Sequence, residues 1–462
     1  MKEFSTSRRR FLNASVATTA VFGAERSLLA DDSRKAGGNS GEAKNVIFMV
    51  SDGMNHGALS LAHLYRQRHQ SKETNWTRLY QERPVVRSLV ETYSHSSCVT
   101  DSAAAASAWG CGHRIDNGVL NILPDGTVST PLHTKLQKVG RKTGLVSTAT
   151  ITHATPAGFA ANVPSRGQEK DIAKQYLDRR VDVLLGGGTK FFDADLVQQF
   201  QAAGYQSISS RAELKKIDPA AGGPLLGLFS NGHMPYEIDR TNDPALDKST
   251  PTLAEMSRAA LNRLQSAKEG FFLMIEGARI DHAGHANDAA ASIHDQLAFD
   301  DAIGEAIAFI DKNPDTLLVI TTDHGCGGIQ MNGVKGKPDE KFGPGSYSAS
   351  NAYFDRLAQF SRSLEWMSQN GIKGLSGDKL AAALEKYTGL KLNDEQTKMA
   401  QGLRGGAGVA LGQHTGVTWT SQNHTGELVE FCAIGPGSDR FPAFMKNRDA
   451  HDILLATLKI AV

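Results

Sequence analysis

Four short apolar stretches end in the same way, and that repetition restricts the fold more than any other feature of the chain. "NVIFMV" (45–50) runs into Asp52, and "TGLVSTA" (143–149) leads to His153 and Thr155. "FFLMIE" (271–276) ends on Glu276 and continues to Asp281, His282 and His285, and "TLLVITT" (316–322) delivers Asp323 and His324. Two further runs, "VDVLLGG" (181–187) and "LVEFCAIG" (428–435), share this character. Unbroken runs of this length suit strands buried on both faces. Amphipathic stretches such as "PTLAEMSRAALNRLQSA" (251–267) lie between them. The expected fold is therefore α/β, a large, mostly parallel central sheet with helices on both faces. Ligands in such sheets gather beyond the carboxyl ends of the strands. That is where these acids and histidines fall.

One acid after a strand is usually a cap or a turn residue. Several converging on one edge would repel each other by several kcal/mol, roughly, at moderate dielectric. Divalent cations remove that cost. Asp281 and His285 stand four residues apart, on one face of one helical turn. Histidine with aspartate and no cysteine suits a catalytic zinc with an open position. Asp52, Thr155 and Glu276 form an all-oxygen set, which suits magnesium.

The stretch "VTDSAAAASAW" (99–109) places an acid and a serine before a run of alanine, the strongest helix former. Asp101 and Ser102 thus stand at a helix N-terminus, which attracts anions. Capping alone accounts for either residue. A zinc pair about 4 Å apart adds a second role for Ser102, because a metal lowers a hydroxyl pKa and makes it a nucleophile.

Residues 1–30 read as a twin-arginine signal peptide, with Arg8 and Arg9, then Phe11 and Leu12, a weakly apolar run and a small-residue cut after Ala30. The apolar run falls short of the roughly eighteen residues that a membrane span needs. The expectation is export to the periplasm or beyond through the twin-arginine machinery, with no stable membrane insertion. Residues 31–43, "DDSRKAGGNSGEA", read as a flexible tether. The signal carries five Lys/Arg against two Asp/Glu, and the rest of the chain 45 against 47. That balance indicates no nucleic-acid-binding surface. Cys98, Cys111, Cys326 and Cys432 lack C-x-x-C spacing, so a cysteine zinc site is not expected. One disulfide or four free thiols remain open.

The blocks "VSDGM", "VTDSAAAASAW", "THATPAGFAAN", "GHMPYEIDR", "FFLMIEGARIDHAGHAND", "TTDHGCGG" and "NHTGE" agree in order, spacing and type with the signatures of alkaline phosphatases. The chain resembles that family from about residue 44 to its C-terminus. The resemblance implies an alkaline-phosphatase-like catalytic domain over 44–462 and hydrolysis of phosphate monoesters through a phosphoserine intermediate. It also implies two zinc ions and one magnesium. Position by position, Ser102 resembles the nucleophile and Arg166 the arginine that grips phosphate; its fork suits bidentate anion binding. Asp281, His285 and His424 match one zinc site, and Asp52, Asp323 and His324 the other. Asp52 would bridge to the third metal, where Thr155 and Glu276 also match. His414 in "GQHTGV" shares the neighbours of His424, which is preferred because it precedes the last apolar run as in the family.

His153 and His282 stand where the best-known bacterial pattern has Asp and Lys. Histidine at these positions bears on the affinity of the third metal, to which His153 is assigned, and on the pH optimum. Residues 350–403 form an insert before the last ligand and read as helices over 350–371, 376–389 and 393–403, with Ser376 and Asn393 as caps. They either flank the site or pack as an appendage. A sulfatase would need a C/S-x-P-x-R motif, which "DSAAAASAW" is not, and phosphodiesterases usually lack equivalents of Arg166 and Glu276. A metal or phosphate binder without catalysis would be expected to have lost Ser102 or a zinc ligand, and all are present. A homodimer stays open.

Overall fold

The structure is a computed structural model that describes residues 41–218, 221–335, 350–402 and 405–460. The signal peptide and most of the tether lie outside the described residues. Ten strands form one sheet: β1 Asn45–Val50, β2 Val86–Glu91, β3 Lys142–Thr150, β4 Val183–Gly187, β5 Gln206–Ile208, β6 Leu225–Leu228, β7 Phe271–Glu276, β8 Thr316–Thr321, β9 Val429–Ile434 and β10 Phe444–Lys446. Their order across the sheet is β10-β2-β9-β8-β1-β7-β3-β4-β6-β5.

All pairings are parallel except those of β9, which runs antiparallel to both β8 and β2. The six strands expected from the sequence are present, with ends shifted by one or two residues. β2, β5, β6 and β10 were not expected. β2 carries charged residues and alternates in burial, and β5 and β10 have three residues each. β6 is four residues interrupted by a glycine. Such segments fall below the length at which apolar runs signal a strand.

The central strands explain the two-sided core. Ile47, Met49, Leu273, Ile275, Leu318 and Ile320 pack into one buried cluster. Val46, Phe48, Phe272, Met274, Leu317 and Val319 pack into another on the opposite face. Alternate side chains of one strand point to opposite faces, so continuous apolar runs require helices on both.

Ala43, read as the end of the tether, is buried and donates its N–H to the Thr457 carbonyl at 3.2 Å. This bond ties Ala43 to the helix Asp449–Thr457. The stretch 350–371 is not one helix. It breaks into short helical turns over Ser350–Phe354, Asp355–Gln359 and Leu364–Gly371, because Phe360–Ser363 turns aside to bond Asp239 through Ser363. Helices Gly377–Thr388 and Asp394–Gly402 agree with expectation. Asn393 and Gln396 form a reciprocal capping pair, whereas Ser376 occupies the N-cap without a side-chain bond. All four cysteines are free.

Small residues set one tight contact. The helix Ser102–Cys111 is buried at all ten positions and lies against the helix Ala154–Ala160. A Cβ on Gly110 would fall 1.9 Å from the Gly158 carbonyl oxygen, which is backbone and cannot give way. Gly110→Ala is expected to destabilise the fold by about 1–3 kcal/mol. A thermal melt should show an apparent Tm several degrees lower, and an unchanged Tm would show that the two helices can separate freely.

Candidate active site

The carboxyl ends of β1, β7 and β8 open at one edge of the sheet, and the site is built there. Asp52 lies in the turn after β1, Glu276 is the last residue of β7, and Asp323 and His324 follow β8 directly. Asp281 and His285 sit on the helix Arg279–Ala286 after β7. Because β9 is reversed, its beginning lies at this same edge, and His424 arrives there just before it. Gly53 allows the closest approach. Its φ is +72°, and a Cβ would fall 2.6 Å from the Asp281 Cα.

Three imidazoles are oriented alike. His424 Nδ1 donates to the Thr100 carbonyl at 2.8 Å, His285 Nδ1 to the Gln422 carbonyl at 2.6 Å, and His324 Nδ1 to the Gly325 carbonyl at 3.3 Å. A backbone carbonyl only accepts, so the proton of each neutral ring is on Nδ1 and the lone pair is on Nε2. The Nε2 atoms of His285 and His424 face each other at 3.1 Å. Asp281 lies 3.4 Å from the first and 3.5 Å from the second. Two lone pairs at that separation repel unless a cation lies between them. This orientation by carbonyl acceptors is the usual support of a metal-ligating histidine.

The second group surrounds His324. Its Nε2 is 3.1 Å from Asp323 Oδ2, 3.8 Å from Asp52 Oδ1 and 3.3 Å from Ser102 Oγ. Asp323 Oδ1 accepts from the N–H groups of Gly53 and His324, which fixes the carboxylate and leaves Oδ2 inward. Asp52, Asp281 and His324 also offer ligand atoms within 4.8 Å of one another. Asp52, His153 and Glu276 form a third such group. Glu276 Oε2 accepts from Ser147 Oγ at 2.5 Å.

The cluster is starved of positive charge. Both oxygens of Asp52, and Glu276 Oε1, Asp281 Oδ1, Asp323 Oδ2, Thr155 Oγ1 and His153 Nδ1, are buried without a hydrogen-bond partner. Burial, and then the charges of Asp323, Asp281 and Glu276, raise the Asp52 carboxyl well above the usual range. Burial pushes Glu276 up to about 7. Orphaned carboxylate oxygens converging in three groups fit divalent cations.

Ser102 opens its helix with Asp101 as the N-cap. Asp101 Oδ1 accepts from the Ala104 N–H at 2.9 Å. Its Oδ2 accepts from the Gly118 N–H at 2.9 Å and from Arg166 Nη1 at 3.0 Å. The other guanidinium nitrogen of Arg166 donates to His153 Nε2 at 3.0 Å. Capping thus belongs to Asp101, and Ser102 Oγ is left facing His324. Every site residue named from the sequence lies at this edge, whereas His414 bonds Gln396 within the insert at 3.0 Å.

Sequence reasoning missed several neighbours. Ser147 pairs in register with Glu276 across β3 and β7, and no sequence pattern gives that register. Cys326 pairs in register with His424 and brings its sulfur to the Asp281–His285–His424 group. His233 stands with its ring 4.5 Å from His282 and 5.6 Å from His153. It lies in the block "GHMPYEIDR" used for the resemblance, which was the available signal.

The family model for alkaline phosphatase matches residues 43–460. Alkaline phosphatase 4 of Bacillus subtilis (strain 168) is 31% identical, over 96% of this chain and 95% of that one. Among solved structures, the alkaline phosphatase of Thermus thermophilus superposes with a TM-score of 0.82 at 31% identity, covering 92% of this chain and 94% of the other. A cold-active alkaline phosphatase from Shewanella sp. gives 0.75 at 29% identity, covering 90% and 99%. The family match, on an open α/β sheet with acids and histidines clustered at its carboxyl edge, defines a metal-dependent hydrolase. This chain belongs to the alkaline phosphatase family, and it is a phosphoric monoester hydrolase.

His424→Ala should lower the divalent metal bound per chain by about one and reduce phosphate-monoester turnover by at least about 100-fold. His414→Ala should change neither. Metal content by mass spectrometry checks both, and loss of metal in the His414 variant would exchange the two assignments.

Proposed function

We propose that this chain hydrolyses phosphate monoesters through a phosphoserine formed on Ser102, at a site holding two zinc ions and one magnesium. The observation that carries the reading is the shared orientation of His285, His324 and His424, each with Nδ1 on a carbonyl and Nε2 turned inward. Asp281, His285 and His424 would hold one zinc, and Asp52, Asp323 and His324 the other. Asp52, Thr155, Glu276 and His153 would hold magnesium. When bound, the zinc pair supplies a lowered pKa for the attacking hydroxyl and a counter-charge for the departing oxygen.

The chain's own residues position the reaction. Ser102 releases its hydroxyl proton to solvent as Oγ forms the new O–P bond and the bond to the ester oxygen breaks, and the departing alkoxide takes a proton from solvent. Water then attacks the phosphoserine, which restores Ser102 and releases inorganic phosphate. The free N–H groups of the helix that begins at Ser102 face the anionic phosphoryl oxygens. Arg166 presents two guanidinium nitrogens to one side, now engaged by Asp101 and His153, and this fork suits two phosphate oxygens. His153 brings an imidazole where an all-oxygen set would favour magnesium more strongly, and this supports weaker magnesium retention.

Among the described residues no helix is long and apolar enough to cross a membrane. Residues 1–30 support export through the twin-arginine machinery to the periplasm or beyond. With Arg8 and Arg9 both replaced by Lys, active enzyme should accumulate in the cytoplasm, as fractionation and a phosphatase assay would show. Unchanged export would refute the assignment.

The mechanism is tested at its nucleophile. Ser102→Ala should cut turnover of p-nitrophenyl phosphate by at least about 1000-fold and abolish acid-stable labelling by radioactive phosphate. Bound metal should stay near the wild-type content. Full activity in this variant would sink the covalent route.

A further inference from the structure

A cleft of about 510 Å³ opens beside the metal cluster, and it shares His285 with it. One wall is polar. His233 and His282 stand there with their rings 4.5 Å apart. His233 Nδ1 accepts from the Thr150 N–H at 3.2 Å, and His282 Nδ1 accepts from Arg279 at 2.7 Å. In each neutral ring the proton is therefore on Nε2. The insert and the helix after it also line the cleft, through Leu364, Ile372 and Ala407, together with the exposed Ser368.

Charge in the cleft is balanced. The Arg279 guanidinium is buried over the Tyr236 ring at 3.7 Å, and Glu365 of the insert pairs with it at 2.8 Å. Among the described residues that line the cleft, Arg279 is the only arginine or lysine, and Glu365 neutralises it. Imidazole rings and aliphatic groups lining one cleft suit a flat, uncharged body.

We infer that this cleft receives the leaving group of the ester, and that it selects monoesters of neutral, ring-bearing alcohols over those of small or anionic alcohols. The inference rests on the monoesterase reading above and adds the substrate class. It makes the insert a specificity element of the site. Ile372 and Ser368 are its positioning residues, since neither touches the reacting atoms.

Phosphonates isolate the effect, because they keep the phosphorus head and are not hydrolysed. Benzylphosphonate, methylphosphonate and phosphonoacetate would be measured as competitive inhibitors of phenyl phosphate hydrolysis by the metal-loaded enzyme. Burial of one ring predicts that benzylphosphonate binds about tenfold or more tighter than methylphosphonate. Phosphonoacetate should gain nothing over methylphosphonate. Ser368→Trp, at an exposed position, should narrow the cleft, and Ile372→Ala should thin its wall. Each should reduce the benzyl-to-methyl ratio to about threefold or less. A wild-type ratio near one, tighter binding of phosphonoacetate than of benzylphosphonate, or a ratio unchanged in both variants would overturn the inference. Failure of the wild type to hydrolyse phenyl phosphate at all would instead overturn the monoesterase reading and the cleft assignment with it.

Discussion

Mutual repulsion among buried carboxylates is the constraint on which the rest of the structure depends. Asp52, Glu276, Asp281 and Asp323 are all at most 4% exposed. Two unit charges 4 Å apart repel by about 4 kcal/mol at an effective dielectric of 20. The side chains that face them, His285, His324 and His424, are turned to offer lone pairs and not protons. Hydrogen bonding within the chain relieves the cluster only in part, through Ser147 on Glu276 and the Gly53 and His324 N–H groups on Asp323. Such a site is tolerated because the sheet beneath it is continuous apolar core on both faces.

Sheet topology decides which residues share that repulsion. β1, β7 and β8 are adjacent and parallel, so their final residues meet without further design. β9 is the exception that completes the group. Running against β8, it enters the sheet at the edge where the others leave. His424 thereby reaches Asp281 across a sequence separation that no parallel connection would have closed so directly. The reversal also explains why His414 is a decoy despite its neighbours. It lies on a helix, Gly406–Thr415, that ends before the chain turns back towards the site.

The sequence was most informative where the chemistry coincides with strand ends. Apolar runs ending in acids disclosed both the parallel sheet and the edge to inspect, because burial and ligand position follow from one geometry. Short strands such as β5 and β10 carry too few residues to leave a periodic signal. Register was invisible, so the bond from Ser147 to Glu276 and the approach of Cys326 to His424 could not be foreseen. The insert was legible as helices, but its first segment was misread as continuous. Its break at Phe360–Ser363 follows from the buried carboxylate of Asp239, more than a hundred residues earlier. The sequence left the cap open between Asp101 and Ser102, and the hold of Asp101 on Arg166 depends on a loop that the sequence does not bring near.

The alanine run after Ser102 takes its meaning from a neighbour. The helix Ala154–Ala160 follows His153 and carries Thr155, so both helices begin at the site. Alanine and glycine make the tightest contact between them, and a Cβ on Gly158 would already fall 2.5 Å from the Ala106 Cβ. Larger residues would push the two N-termini apart, and with them Ser102 from His153 and Arg166. Alanine serves here less as a helix former than as a spacer of minimal size. Trp109, at the far end of the first helix, packs against Phe48 and Phe159 at ring separations of 5.2 and 6.3 Å. Those rings anchor both helices to β1, the strand that ends in Asp52. One packed unit therefore fixes the spacing of the Ser102 hydroxyl, Thr155 and Asp52.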